Sequence, residues 1–321
     1  MLYTYRFLLT ATIELHILTL IESKSGIIPC GERKKMKEFR NKVAVVTGGA
    51  SGIGWGLAER CAREGMKVVL ADIEEPALKE AEKTLKDRGA SVLAVPTDVS
   101  KFSEIETLAQ RTIDAFGEVH LLFNNAGVQT GASISKPLWE NTLADWEWLI
   151  NVNLWGVIYG IKVFMPVMLR QNTECHIVNT SSMAGLIAEP QLVIYSVTKA
   201  GVIKLSEGLY LQLKRRNSPV GVSVLCPALV SSRLGDAERN RPRELQNPPE
   251  APQQSEQPSL LKQLRKGNWN VLSPEQSAEI VFKAIREDTF YILTDPVINT
   301  LFKQRAENIL QGHNPEIPQI M

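Results

Sequence analysis

Cysteine is scarce in this sequence and widely scattered. Cys30, Cys61, Cys175 and Cys226 are the four, with no Cys-x-x-Cys among them. That scatter argues against a disulfide framework, and the four histidines form no cluster with the thiols that would suit zinc, so no metal is expected. A reducing compartment, the cytoplasm, fits best. Charge of one sign is also lacking: the net charge is +1, with no basic excess to suggest a nucleic-acid partner. The apolar run near the start is short. FLLTATIELHILTLI at 7–21 is interrupted by Glu14 and His16 and falls short of the ~20 apolar residues that a bilayer span needs. It lacks the basic start and small-residue cleavage site of a signal peptide. No membrane role is expected for the core. Residues 1–35 are read as an extension upstream of the fold, which would begin at Met36; a weak membrane-surface helix is the alternative.

What is present is an ordinary globular composition, 44% hydrophobic and 22% charged over 321 residues, enough for one large core. From Lys42 the pattern alternates. Strands are expected at 42–48, 67–72, 91–99, 175–182, 220–227 and 290–295, with a strand and its following loop at 119–127. The first of them, KVAVVTG, is a β-branched run of the kind buried in parallel sheets. Between them lie helical stretches at 53–64, 74–88, 103–116, 143–169, 194–215 and 274–287, and a last helix and tail occupy 297–321. The helix after Ser273 carries a capping box, with Pro274 first and Gln276 third. This alternation predicts an α/β fold: a doubly wound, Rossmann-like parallel sheet of about seven strands with helices on both faces. One domain, 36–295, is expected. Within it, 228–272 is read as a mobile substrate loop, because NRPRELQNPPEAPQQSEQP at 240–258 has too little apolar surface to order itself.

Two local patterns carry chemistry. Tyr195 and Lys199 are four apart on a predicted helix, hence on one face, and Ser182 lies thirteen residues before the tyrosine. A nearby ammonium would lower the phenol pKa, and the serine hydroxyl could hold the same substrate oxygen. The trio suits moving a proton on or off an alcohol or carbonyl oxygen. The second pattern, Thr47-Gly48-Gly49-Ala50-Ser51-Gly52-Ile53-Gly54, falls between strand and helix, where backbone N–H groups can cradle a diphosphate. Asp72 ends the second strand eighteen residues later. It could accept hydrogen bonds from both adenosine ribose hydroxyls and would repel a 2′-phosphate. No Arg or Lys stands at Ser51 or Ile73, so NAD is expected rather than NADP. The plainer reading is that Asp72 caps the following helix.

Placed together, TGGASGIG at 47–54, Asp98-Val99, NNAG at 124–127, Asn153, Ser182 and Tyr195-Ser-Val-Thr-Lys199 resemble the short-chain dehydrogenase/reductase family over roughly 42–295. The resemblance implies reversible hydride transfer between a nicotinamide and a carbonyl carbon. It makes Tyr195 the general acid/base and Ser182 the group that orients the reacting oxygen. Lys199 lowers the tyrosine pKa and holds the nicotinamide ribose, and Asn153 positions a relay water. Cofactor contacts are implied at Gly48, Ser51, Gly52, Ile53 and Gly54, at Asp72 and Ile73, and at Asp98 and Val99 for the adenine. They continue at Asn125, Ala126 and Gly127, and at Pro227, Ala228 and Val230 after the sixth strand. Pro227-Ala228 departs from the family's Pro-Gly, which puts that last group in doubt. The stretch 129–145 is longer than the minimal family connection. Its Trp139, with Trp146 and Trp148, either lines a substrate mouth or packs the long helix on the core.

The substrate pocket is expected from Met183, Ala184, 191–194 with Leu192, and the loop after Pro227. These are apolar, with no Arg or His aimed inward, so a hydrophobic secondary alcohol or ketone is expected. The alternatives are an NADPH-dependent carbonyl reductase and, from another class, a non-catalytic dinucleotide sensor. A homodimer or homotetramer through helices 143–169 and 194–215 is implied by the resemblance.

Overall fold

A computed structural model describes residues 35–130, 136–248 and 270–317. The readings of 1–34, and of most of the 240–258 segment, lie outside the described residues. Seven parallel strands form one sheet in the order β3-β2-β1-β4-β5-β6-β7. They are β1 Val43–Thr47, β2 Lys67–Asp72, β3 Val92–Pro96, β4 Leu121–Asn124, β5 Cys175–Thr180, β6 Val220–Cys226 and β7 Tyr291–Leu293. Every residue of β1, β4, β5 and β6 is buried. A strand covered on both faces gains from apolar side chains pointing either way, hence the continuous runs. The order reverses between β1 and β4, and at such a switch point a crevice opens beyond the strand carboxyl ends.

The helices are α1 Gly52–Arg63, α2 Glu75–Asp87, α3 Phe102–Phe116, α4 Leu143–Ile150, α5 Gly156–Gln171, α6 Val193–Arg215, α7 Pro274–Glu287 and α8 Pro296–Gln311. On one face of the sheet α1, α2 and α7 enclose a core with Leu57, Leu85 and Phe282 at its centre. Met36 and Phe39 belong to this core, so the fold is under way by Met36. On the other face α3, α5 and α6 bury Ile105, Phe164 and Leu213. The capping box of Ser273 and Gln276 forms as read.

Helices α4 and α5 are one continuous rod, joined by a π-helical turn at Asn151–Trp155. By length and hydropathy, Leu143–Gln171 is the one stretch among the described residues apolar enough to cross a membrane. Here that apolarity is used in packing, with Val157, Phe164 and Met168 buried.

After β6 the chain makes a long excursion that begins and ends at one place. Leu272 N donates to Leu229 O (3.0 Å) and Ser231 N donates to Leu272 O (2.9 Å). The first part of the excursion is packed, contrary to the expectation of a segment too polar to order itself from 240 on. Short 3-10 turns occupy Leu234–Asn240 and Arg243–Leu245. Arg241 is buried and pairs with Asp145, wholly buried on α4, at 2.8 Å. It also donates to Leu245 O and lies over the Trp148 ring, while Asn247 bonds both Asp145 and Thr142. Composition missed this because a buried ion pair, joined by a few apolar contacts from Ala237 and Leu245, holds the segment.

Candidate active site

The dinucleotide end is assembled at the tips of β1, β2 and β4. Gly48 adopts φ +65°, which favours glycine, and a Cβ on Gly54 would lie 2.0 Å from Gly48 O. The loop thus closes against the start of α1 only because both are glycine. Ser51 precedes α1 in extended backbone and gives no side-chain cap, so the first-turn N–H groups are left for a ligand. Thr47, read from sequence only as the first residue of the glycine loop, stitches the parts together. Its hydroxyl donates to Phe123 O (3.2 Å) and accepts from Asn125 N (2.9 Å) and Ala126 N (3.1 Å). Both oxygens of Asp72 are engaged by backbone: Oδ1 accepts from Glu74 N just ahead of α2, and Oδ2 accepts from Ala50 N of the glycine loop, each at 3.0 Å. Burial holds its carboxyl above the usual range although these N–H groups pull it down. Each oxygen keeps a further lone pair for a ribose hydroxyl.

The reacting end lies where β5 meets α6. Ser182 opens a short 3-10 turn, its Oγ accepting from Ala184 N (3.2 Å). Tyr195 and Lys199 stand one turn apart on α6, both buried. Ser181 Oγ donates to Lys199 O (2.7 Å), fastening the end of β5 to the helix. Lys199 Nζ donates to Thr180 O (3.0 Å) and lies 5.5 Å from the Tyr195 ring centre. The expected pKa logic needs correcting here. Burial pushes the Tyr195 phenol up to about 12, and the Ser182 hydroxyl, not Lys199, is what draws it down. Lys199 is itself pushed down to about 8 by burial. Both groups are buried, so desolvation is the largest cause of each shift.

Asn153 is fully buried in the π turn. Its amide accepts from Val128 N (2.8 Å) and donates to Val128 O (2.9 Å) and Thr198 Oγ1 (3.2 Å). Its side chain therefore ties the loop after β4 to α6. A side chain at Gly127 would meet both Asn153 Oδ1 and Lys199 Nζ, at 3.3 and 3.4 Å.

One cavity of about 590 Å³ joins the two ends. The predicted catalytic and cofactor residues line it except Gly54 and Asn153. Met183, Ala184 and Leu192 are on the wall, whereas the rest of 191–194 is not. Ala228 causes no strain: its φ is not positive, and its N–H donates to Thr294 Oγ1 (3.0 Å). Trp139 does neither thing expected of it, being 84% exposed, whereas buried Trp148 both packs α4 and lines the cavity. Three contributions were missed. Leu301 reaches in from α8, Glu189 lies on the wall, and the loop after β6 adds Arg233 and Arg239. No arginine was expected to aim into the substrate pocket; Arg233 and Arg239 instead lie at the Asp72 end of the cavity, paired with Glu74.

The sequence profile of the short chain dehydrogenase family matches residues 42–243. The chain belongs to the short-chain dehydrogenase/reductase family. It is 35% identical to a CLA biosynthesis dehydrogenase/reductase of Lactiplantibacillus plantarum over 285 residues, covering 88% of this chain and 98% of that one. It is 31% identical to a C alpha-dehydrogenase of a Sphingobium strain, covering 87% of this chain and 89% of the relative. A short chain dehydrogenase/reductase from Burkholderia phymatum, solved in complex with NAD, superposes with a TM-score of 0.82 at 44% identity, covering 89% of this chain and all of that one. As a short-chain dehydrogenase/reductase the protein is an oxidoreductase, and its family binds a nicotinamide dinucleotide. The glycine cradle, the uncapped start of α1 and the carboxylate of Asp72 fit such a group.

Proposed function

We propose that this short-chain dehydrogenase/reductase is NAD(H)-dependent and interconverts a hydrophobic secondary alcohol and its ketone. The observation that carries the reading is that Tyr195, Ser182 and Lys199 share one cavity with the glycine loop and Asp72. The dinucleotide, when bound, supplies the hydride acceptor or donor. Tyr195 Oη takes the hydroxyl proton as an alcohol is oxidised and returns it to the carbonyl oxygen in reduction. Ser182 Oγ holds that oxygen in line. Lys199, fixed by Thr180 O, presents its charge beneath the tyrosine ring and toward the ribose. Apolar Met183, Ala184, Ile187, Leu192 and Trp148 exclude water from the reacting atoms. Two features support NAD: the carboxylate of Asp72 at the ribose position, and the relative from Burkholderia phymatum solved with NAD.

A screen for NADH formation across alcohol classes tests this, with Tyr195→Phe beside the wild type. Tyr195→Phe is expected to lose on the order of 10²–10⁴-fold in turnover while binding NADH as before. Retained activity in that variant would refute the assignment.

We further infer assembly through the rod of α4 and α5, with exposed Trp155 in its π turn and Leu169, and through α6, with exposed Val197 and Leu211, and a cytoplasmic setting in which buried Cys61, Cys175 and Cys226 stay as free thiols. The second reading, an NADPH-dependent carbonyl reductase, is favoured by one observation: Arg233 and Arg239 lie on the same wall as Asp72.

A further inference from the structure

Those two arginines are not idle. Arg233 Nη1 lies 3.2 Å from Glu74 Oε2, and Arg239 Nε lies 3.1 Å from Glu74 Oε1, with Arg239 Nη2 on the same oxygen. Asn240 Nδ2 donates to Oε1 as well, at 3.1 Å. Arg239 is also held from behind, its Nη1 donating to Arg233 O (3.0 Å) and Asp236 O (2.7 Å). Glu74 follows the end of β2, and its own N–H is bonded to Asp72 Oδ1. The clamp therefore adjoins the carboxylate assigned to the ribose hydroxyls. Glu74, Arg233 and Arg239 all line the cavity there, and the remaining basic side chain among the lining residues is Lys199, at the reacting end.

A guanidinium fork matches phosphate as well as it matches carboxylate. A 2′-phosphate reaching this wall would have to displace a carboxylate that is already part of the chain and costs no entropy of association. We propose that Glu74 is a cofactor-specificity residue: by engaging Arg233 and Arg239 it withholds from a 2′-phosphate the two cations beside the adenosine ribose. Asp72 repels the phosphate directly; Glu74 removes the compensation. This rests on the reading of the cavity as a dinucleotide site. A purely structural clamp would behave differently, since loosening the loop weakens all nucleotides alike.

The test uses the full-length protein and direct titration with NADH, NADPH, ADP and adenosine 2′,5′-bisphosphate, followed by calorimetry. Glu74→Gln is expected to shift the ratio of NADH to NADPH dissociation constants toward NADPH by about tenfold or more, with a parallel gain for the bisphosphate over ADP. Glu74→Gln combined with Arg239→Gln should lose most of that gain. A ratio that moves less than about twofold, equal weakening of every nucleotide, or a gain that survives the second substitution would each overturn the proposal. A wild type that prefers NADPH would overturn the NAD reading alone, because the proposal is read from the change between variants.

Discussion

Lys199 is a cation that the fold buries at a cost. Its folded value of about 8 lies below its ordinary 10.5, and burial is the main cause. The unfolded chain therefore binds more protons between those values, and stability rises with pH across that window. Below about pH 8 the full penalty is present. Lys199→Met should therefore be inactive yet more stable than the wild type at pH 7, by a few kcal/mol. Its advantage should fade as pH climbs to about 10.5. Denaturant unfolding at pH 7 and pH 10 checks this; equal differences at both would contradict it. At this scale the reacting trio was legible because its members are linked by local spacing, a helical turn and a strand end. Thr47 was not, because a threonine hydroxyl that stitches β1 to the loop after β4 leaves no signature along the chain. The direction of the Tyr195 shift was misjudged for a related reason, since burial is set by distant elements.

Among the elements, the excursion after β6 depends on Arg241. Its partner Asp145 is fully buried, and although burial pushes that carboxyl up, its bonds to Asn247, Arg241 and Thr142 hold it below the usual range. Removing one member of a buried pair leaves the other uncompensated, which costs about 3–5 kcal/mol. Arg241→Ala should show a loss of that order in chemical denaturation. Because Arg241 lies over Trp148, it should also raise KM for the alcohol more than it lowers kcat. An unchanged KM would mean that Trp148 keeps its place unaided. The strands were legible to within about three residues and most helices within one or two, since continuous apolar runs and amphipathic stretches alternate cleanly. The π turn was not, because Asn151–Trp155 sits inside a run that reads as plain helix, and the extra residue per turn that seats Asn153 is set by contacts with Val128 and Thr198.

For the whole molecule, the expected assembly is tested on an exposed face of α6. Leu211 is 58% exposed, and Leu211→Glu is expected to shift sedimentation toward the monomer while leaving the monomer's fold intact by circular dichroism. An unchanged sedimentation coefficient would count against that face. The doubly wound sheet was legible as a whole from the alternation of strands and helices. The reach of α8 into the cavity through Leu301 was not, since a tail helix carries no hint of where it docks. The joining of Leu229 and Ser231 to Leu272 has a last consequence. The two ends of the stretch after β6 meet at one bridge, so a change of length between them need not alter the register of β6 and β7. Arg239 on Glu74 and Arg241 on Asp145 are the anchors within that stretch, so an exchange that spares them is the one expected to leave the sheet and the Tyr195 site in place.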